Sequence, residues 1–285
     1  MSILAIAILA VIQGLAELLP VSSSAHVIVA EKLLGLDPTA PEMTLLLVML
    51  HSGTMLAVIA YFWRAWRRTF FSSWAALRQI VPLLALATVL TAAVGYSLMW
   101  IIERTALRAI PGADIELIFG NLALISGALA AAGVLILVAG LRKGAGAGER
   151  SPGWGEASWI GAVQGFCLPF RGFSRSGATI STGLLVGTGR ARAEEFSFAL
   201  AVILTPPVVL RELRRLLEAR HAQVAAGESW HLLAPAVLGM GLSFLAGLAA
   251  LAWLSSWLER GAWYRFGIYC LAASAVILVL HLSGF

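Results

Sequence analysis

The sequence predicts an all-α integral membrane protein with six transmembrane helices and two re-entrant helix-loop-helix hairpins, ten helices in an inverted-topology repeat. Three observations lead there. Of the 285 residues 60% are hydrophobic and only 12% charged, with mean hydropathy +0.88, whereas soluble domains are about 25% charged. Apolar runs recur at 44–63, 79–102, 116–141, 194–210, 231–256 and 264–283, each near the roughly 20 residues that a helix needs to cross the hydrocarbon. Two further stretches, 1–36 and 156–189, are apolar but interrupted by Pro, Gly and hydroxyl residues.

The first interrupted stretch contains IQGLAELLPVSSSAH at residues 12–26. An apolar helix runs to Leu19, Pro20 removes a backbone donor, and Ser22 to Ser24 offer N-cap oxygens for a restart at His26. No basic region precedes the run and no small-residue cleavage site follows it, so it does not read as a removable signal peptide. In the second stretch a helix from about Glu156 ends near Pro169. Gly172, Ser174, Ser176 and Gly177 then precede a restart toward Leu185. Each half is too short to cross alone, and irregular backbone at membrane depth is tolerated only inside protein or a water-filled cavity.

The two stretches resemble each other. Ile12-Gln13-Gly14 matches Val163-Gln164-Gly165, and a proline and Ser-x-Ser follow in both, Ser22 and Ser24 in one, Ser174 and Ser176 in the other. Each is followed by three spans, an odd number, so the second hairpin must dip in from the opposite face. The halves are then 1–141 and 154–285, joined by the Gly-rich linker 142–153. In such inverted repeats broken helices meet near the midplane and form the site there. One face carries Arg64, Arg67, Arg68, Arg78, Arg142, Lys143, Arg150, Arg190, Arg192, Arg260 and Arg265; the other carries Lys32, Arg104, Arg108, Arg211, Arg214, Arg215 and Arg220. The richer face is cytoplasmic by the positive-inside rule, which puts both termini on the periplasmic side. The net charge of +5 reflects this scatter over short loops and does not call for nucleic acid. Cys167 and Cys270 neither make a disulfide framework nor show metal-ligand spacing.

Chemistry concentrates in the two interruptions. Gln13 and Glu17 are four apart and share a helix face, and a carboxylate at that depth costs at least about 2.5–3.5 kcal/mol, so it needs a partner. It reads as a metal ligand or a proton handler, and a hard cation, Mg2+ or Ca2+, suits the oxygen donors better than zinc. His26 follows Ser22 by four residues and Ser23 by three. Hydroxyl and imidazole can pair as nucleophile and base, or the imidazole can itself attack. RGFSRSGAT at 171–179 offers an anion cradle. Arg175 has a planar fork that matches phosphate oxygens, Gly172 and Gly177 admit close backbone approach, and Ser174, Ser176 and Thr179 add hydroxyls. Arg175 can also simply pair with Glu17. No lysine follows the glycines, which excludes a Walker loop. Together these parts describe phosphoryl transfer on a lipid whose head group enters the site while its tail stays in the bilayer. A transporter or lipid flippase of the same architecture is the rival class, since inverted repeats also serve alternating access.

At these residues the sequence resembles the undecaprenyl-diphosphate phosphatase, or bacitracin-resistance, family. Gln13, Glu17, Pro20-Val21-Ser22-Ser23 and His26 carry its first motif and RGFSRSGAT its second; HSGTMLAVIAYFWR at 51–64 and EFSFALAV at 195–202 extend the likeness over nearly the whole chain. The resemblance implies a multi-pass inner-membrane enzyme that hydrolyses undecaprenyl diphosphate to the monophosphate and phosphate, recycling the carrier for peptidoglycan, with a divalent cation and as a homodimer, its site open to the periplasm. By position Glu17 is the motif acid, Ser23 and His26 the catalytic pair, and Arg175 with Ser174 the phosphate clamp. Where the motif has proline this chain has Arg171, a second phosphate contact or a loop brace. His51 stands in a span where it can approach the site, and it reads as structural; Ser22 and Ser24 read as caps beside the reactive Ser23.

Overall fold

The computed structural model describes residues 2–36, 41–108, 115–142, 144, 146, 148–221 and 229–284. Among them it is all helical: α1 (Ile3–Leu18), α2 (Ser23–Leu33), α3 (Pro41–Thr69), α4 (Trp74–Thr105), α5 (Leu122–Leu141), α6 (Trp154–Cys167), α7 (Arg175–Leu185), α8 (Arg190–His221), α9 (Ser229–Glu259) and α10 (Tyr264–Leu282), with a 3-10 turn at Ile115–Ile118. Five of them, α3, α4, α5, α9 and α10, are long and apolar enough to cross a membrane. The sixth long helix, α8, has 32 residues and contains Pro206 and Pro207. The span expected over 116–141 begins later, at Leu122, because Asn121 caps α5 by accepting from the Ala123 and Leu124 amides. Lys143 of the linker lies outside the described residues, as do the side chains of Arg211, Arg215 and Arg220.

The interruptions fall where Pro and Ser predict them, with shifted boundaries. α1 stops at Leu18 and α2 starts at Ser23, earlier than His26. Ser22 occupies the N-cap position with φ 67° and makes no capping hydrogen bond. Ser24 does not cap either, since its Oγ accepts from the Gly172 amide at 3.2 Å. Thus the serines expected to cap α2 instead shape and tie its leading turn.

Two helical hairpins point at each other. Gly189 N–H donates to the Arg150 carbonyl at 2.9 Å and Arg150 pairs with Glu156 at 2.5 Å, so α6 begins where α7 finishes. Arg142 donates to the Leu185 carbonyl at 3.0 Å, Arg190 to the Glu259 carbonyl at 3.2 Å and Thr69 to Glu195 at 3.1 Å. Hence the ends of α3, α5, α7 and α9 gather with the starts of α6 and α8. At the opposite end Ile6 and Leu9 of α1, Val27 and Ala30 of α2, and Met43 and Leu46 of α3 form their own apolar cluster. The tips of the hairpins meet between these ends, where Ser176 Oγ donates to the Leu19 carbonyl at 3.3 Å.

Small residues let the hairpins press against the long helices. α1 packs on α9 and α6 on α4, while α5 pairs with α10. A Cβ on Gly14 would stand 2.7 Å from the Ser243 carbonyl oxygen, 2.6 Å from Ala246 Cβ and 3.1 Å from Gly247 N. One on Gly165 would stand 2.7 Å from the Thr91 carbonyl oxygen, 2.8 Å from Val94 Cβ and 3.1 Å from Gly95 N. In both crossings a glycine near the end of a short helix sits against the backbone of a long one. Gly161 and Gly165 together present a small-x-x-x-small face to α4, the pattern by which helices approach closely in a membrane. Gly165→Val is accordingly expected to cost about 1–3 kcal/mol through overpacking, read as a drop of several degrees in thermal unfolding of the detergent-solubilised protein. An unchanged unfolding temperature would show that this crossing tolerates bulk.

Leu18, Leu50, Ile125, Leu129, Ile136, Ile160, Phe196, Phe198 and Trp263 fill the interior. Large apolar side chains also cover the outside, among them Val89, Tyr96 and Trp100 of α4, Val134 and Val138 of α5, and Val276 and Val279 of α10. An apolar exterior of this extent suits lipid as the surrounding solvent.

Candidate active site

The break at Pro20 turns the chain so that α2 starts beside the last turn of α1. Ser23 at the start of α2 thereby faces Glu17, and its Oγ donates to Glu17 Oε2 at 2.6 Å. Gln13, one turn back on α1, donates through Nε2 to the same oxygen at 3.2 Å, as the four-residue spacing predicts. The other carboxylate oxygen, Oε1, accepts from Arg175 Nη2 at 3.0 Å. Arg175 opens α7, so this ion pair joins the tips of the two hairpins. Both side chains are mostly enclosed, Glu17 18% and Arg175 25% exposed.

The loop before α7 owes its course to two residues. Gly172 has φ 102°, a region closed to most L-residues, and a Cβ there would strike the Ile125 carbonyl. Ser174 caps α7 by accepting from the Gly177 amide at 3.2 Å. Ser176 and Thr179, expected as phosphate donors, are committed to the protein. Ser176 reaches Leu19, and Thr179 bonds the Arg175 carbonyl at 2.8 Å and Ser197 Oγ at 2.5 Å. Arg171 is exposed and its guanidinium sits 4.5 Å over the Phe119 ring, a contact that suits a loop brace.

Ser23 and His26, expected as a pair, are not hydrogen-bonded to each other. The His26 Nδ1 lies 2.8 Å from the Ser22 carbonyl and Nε2 lies 2.7 Å from the Tyr269 hydroxyl. His51, which the sequence reads as structural in a span that can approach the site, does approach it. Its Nδ1 bonds the Leu47 carbonyl at 2.8 Å and its Nε2 points at Glu17 Oε2 from 3.9 Å. The stretch HSGTMLAVIAYFWR signalled His51 as part of the resemblance, whereas nothing near Tyr269 in the sequence marked it.

A narrow cleft of about 10 Å3, room for one water, adjoins Glu17 and Arg175. Its walls come from Thr54, Met55 and Val58 of α3 and Ala201, Val202 and Thr205 of α8. No group of three or more His, Cys, Asp or Glu able to hold a metal occurs among the described residues. The oxygen donors at hand are Glu17, Gln13 and Ser23. Such a set fits magnesium in the way that ion is usually held, by one or two carboxylates together with phosphate oxygens of a substrate. A carboxylate in contact with a hydroxyl can deprotonate it, and the guanidinium on the other carboxylate oxygen can hold an anion.

A family model described as bacitracin resistance protein BacA matches residues 6–276. An undecaprenyl-diphosphatase 2 of Acinetobacter baylyi is 56% identical over 283 residues, 98% of either chain. Undecaprenyl-diphosphatases of Rhodopirellula baltica and Novosphingobium aromaticivorans are 30% and 33% identical over 281 residues, 97% and 95% of the chains compared. With its apolar helices this is a multi-pass membrane protein, and it belongs to the bacitracin resistance protein BacA family.

Proposed function

We propose that the chain is an undecaprenyl-diphosphate phosphatase, which hydrolyses undecaprenyl diphosphate to undecaprenyl phosphate and inorganic phosphate and so recycles the lipid carrier for peptidoglycan synthesis. The observation that carries this reading is the contact of Ser23 with Glu17 and of Glu17 with Arg175 across the two hairpin tips. The relatives named above support the substrate.

The geometry supports Ser23 as nucleophile. Its hydroxyl already donates to a carboxylate, whereas both ring nitrogens of His26 have protein partners. The diphosphate displaces Glu17 from the Arg175 fork, since the adjoining cleft holds only about one water. Arg175 then spans the terminal phosphoryl oxygens while Glu17 Oε2 takes the Ser23 proton. Ser23 Oγ attacks the terminal phosphorus, the bond to the bridging oxygen breaks, and Glu17 passes the proton to that oxygen as undecaprenyl phosphate leaves. Glu17, a carboxylate again, takes a proton from water that attacks the phosphoserine, and returns it to Ser23 Oγ as phosphate departs. A divalent cation held by Glu17 and Gln13 would neutralise charge on the diphosphate.

The reading includes six transmembrane helices with α1–α2 and α6–α7 as re-entrant hairpins in two inverted halves. The opposed hairpins and the matched crossings at Gly14 and Gly165 support it. The periplasmic termini rest on the charge bias of the loops, and the inner-membrane location and a site open to the periplasm are what the family resemblance implies. The homodimer implied by the resemblance belongs to the same proposal. Purified protein in detergent, given undecaprenyl diphosphate and magnesium, is expected to release phosphate. Label from the terminal phosphoryl group is expected to appear as an acid-stable phosphoserine. Absence of phosphate release would remove the enzyme reading, and an acid-labile adduct would move the attack to His26.

A further inference from the structure

The loop that presents Ser23 is held in a conformation its own residues disfavour. Ser22 is the one non-glycine residue with positive φ among the described residues, in a region that L-side chains resist. No capping bond of its own holds it there. Its carbonyl, however, accepts twice from His26, at 2.8 Å from Nδ1 and at 3.4 Å from the backbone amide.

His26 is in turn fixed from a distant helix. A carbonyl can only accept, so Nδ1 carries the proton and Nε2 of the neutral ring offers its lone pair. The Tyr269 hydroxyl, 243 residues away on α10, meets that lone pair at 2.7 Å. The two rings lie 13° from parallel with centroids 5.7 Å apart. The residue that follows Tyr269 reaches the same loop, where Cys270 Sγ donates to the Pro20 carbonyl at 3.1 Å. Consecutive residues of α10 thus grip the loop on both sides of Ser22.

We propose that Tyr269 is a positioning residue for the reactive loop. Its hydroxyl donates to Nε2 and holds the ring in the Nδ1–H form that the Ser22 carbonyl selects, His26 holds the Ser22 carbonyl, and the turn at Ser22 keeps Ser23 Oγ on Glu17. The inference rests on the reading of Ser23 and Glu17 as the reacting pair. It differs from a packing role for Tyr269, because it runs through one hydroxyl and one imidazole.

Tyr269→Phe, which keeps the ring and removes the hydroxyl, is expected to lower kcat by about tenfold, the scale of one hydrogen bond, with KM within about twofold. Thermal unfolding stays at the wild-type temperature. Tyr264→Phe, at the first residue of α10, leaves kcat unchanged. In a His26→Asn background Tyr269→Phe has no further effect. The 15N resonances of His26, assigned by their loss in His26→Asn, show a neutral Nδ1–H ring whose Nε2 signal moves in Tyr269→Phe. Wild-type kcat in Tyr269→Phe, an equal loss in both backgrounds, or an unmoved Nε2 signal would each overturn the proposal. The nitrogen signal is read without turnover. A wild-type protein that releases no phosphate therefore fails the enzymatic reading while leaving the Tyr269–His26 contact separately tested.

Discussion

Arg175→Lys is expected to lower kcat for undecaprenyl diphosphate by about 10²–10³, the loss seen when one preorganised charge-stabilising donor is removed, while the protein unfolds within a few degrees of wild type. The two outcomes separate because the two roles of Arg175 need different things. In the resting structure it neutralises Glu17 through a single nitrogen at 3.0 Å, which a lysine ammonium can replace as a point charge. Holding a terminal phosphoryl group needs a planar fork that meets two oxygens at once, which lysine lacks. Arg175→Ala, by contrast, leaves a largely enclosed carboxylate without its cation and costs about 3–5 kcal/mol of stability as well. Steady-state phosphate release and thermal unfolding, measured on both variants, check this. A lysine variant with wild-type kcat would mean that Arg175 acts only as the counter-ion of Glu17.

The hairpins were legible because their signals are local. Pro20 and the serine run end one helix and start another, and Gly172, which alone tolerates φ 102° beside the Ile125 carbonyl, marks the second tip. The meeting of Glu17 with Arg175 was legible more indirectly, from an odd number of spans between two similar interruptions. The pairing inside the site was not. Ser23 and His26 do share the first turn of α2, but the turn at Ser22 aims the Ser23 hydroxyl back onto Glu17 of α1, and both His26 nitrogens are taken by the Ser22 carbonyl and the Tyr269 hydroxyl.

Tyr269 was out of reach for a different reason. It belongs to a long apolar helix, and periodicity places a residue on a face without saying which of its neighbours that face meets. The contact of Tyr269 with His26 exists only because α10 packs on α5 near the hairpin tips. Ser176 and Thr179 show the converse. Their residue types suit phosphate, yet Ser176 ties one hairpin tip to the other and Thr179 ties α7 to α8. Hydroxyls in a membrane interior find such partners because an unsatisfied polar group there costs several kcal/mol.

Glu17→Gln is expected to be the most damaging isosteric change in the chain, lowering kcat by at least about 10³ where loss of a general base alone costs about 10²–10⁴. The substitution removes the base, and it also cannot satisfy the donors that converge on the carboxylate. Oε1 accepts from Arg175, and Oε2 accepts from Ser23 and Gln13. An amide has one accepting oxygen and one NH2 group, so either Arg175 or Ser23 and Gln13 must then face a donor. Turning the amide only exchanges which hairpin loses its contact. Glu17→Asp keeps both acceptors on a shorter stem and is expected to retain more activity than Glu17→Gln. Phosphate release from both variants, with trapping of labelled phosphoserine, separates the two effects. Glu17→Gln should accumulate no phosphoserine, because Ser23 keeps its proton. Labelled Ser23 in Glu17→Gln would show that the carboxylate is needed to hydrolyse the adduct and not to form it.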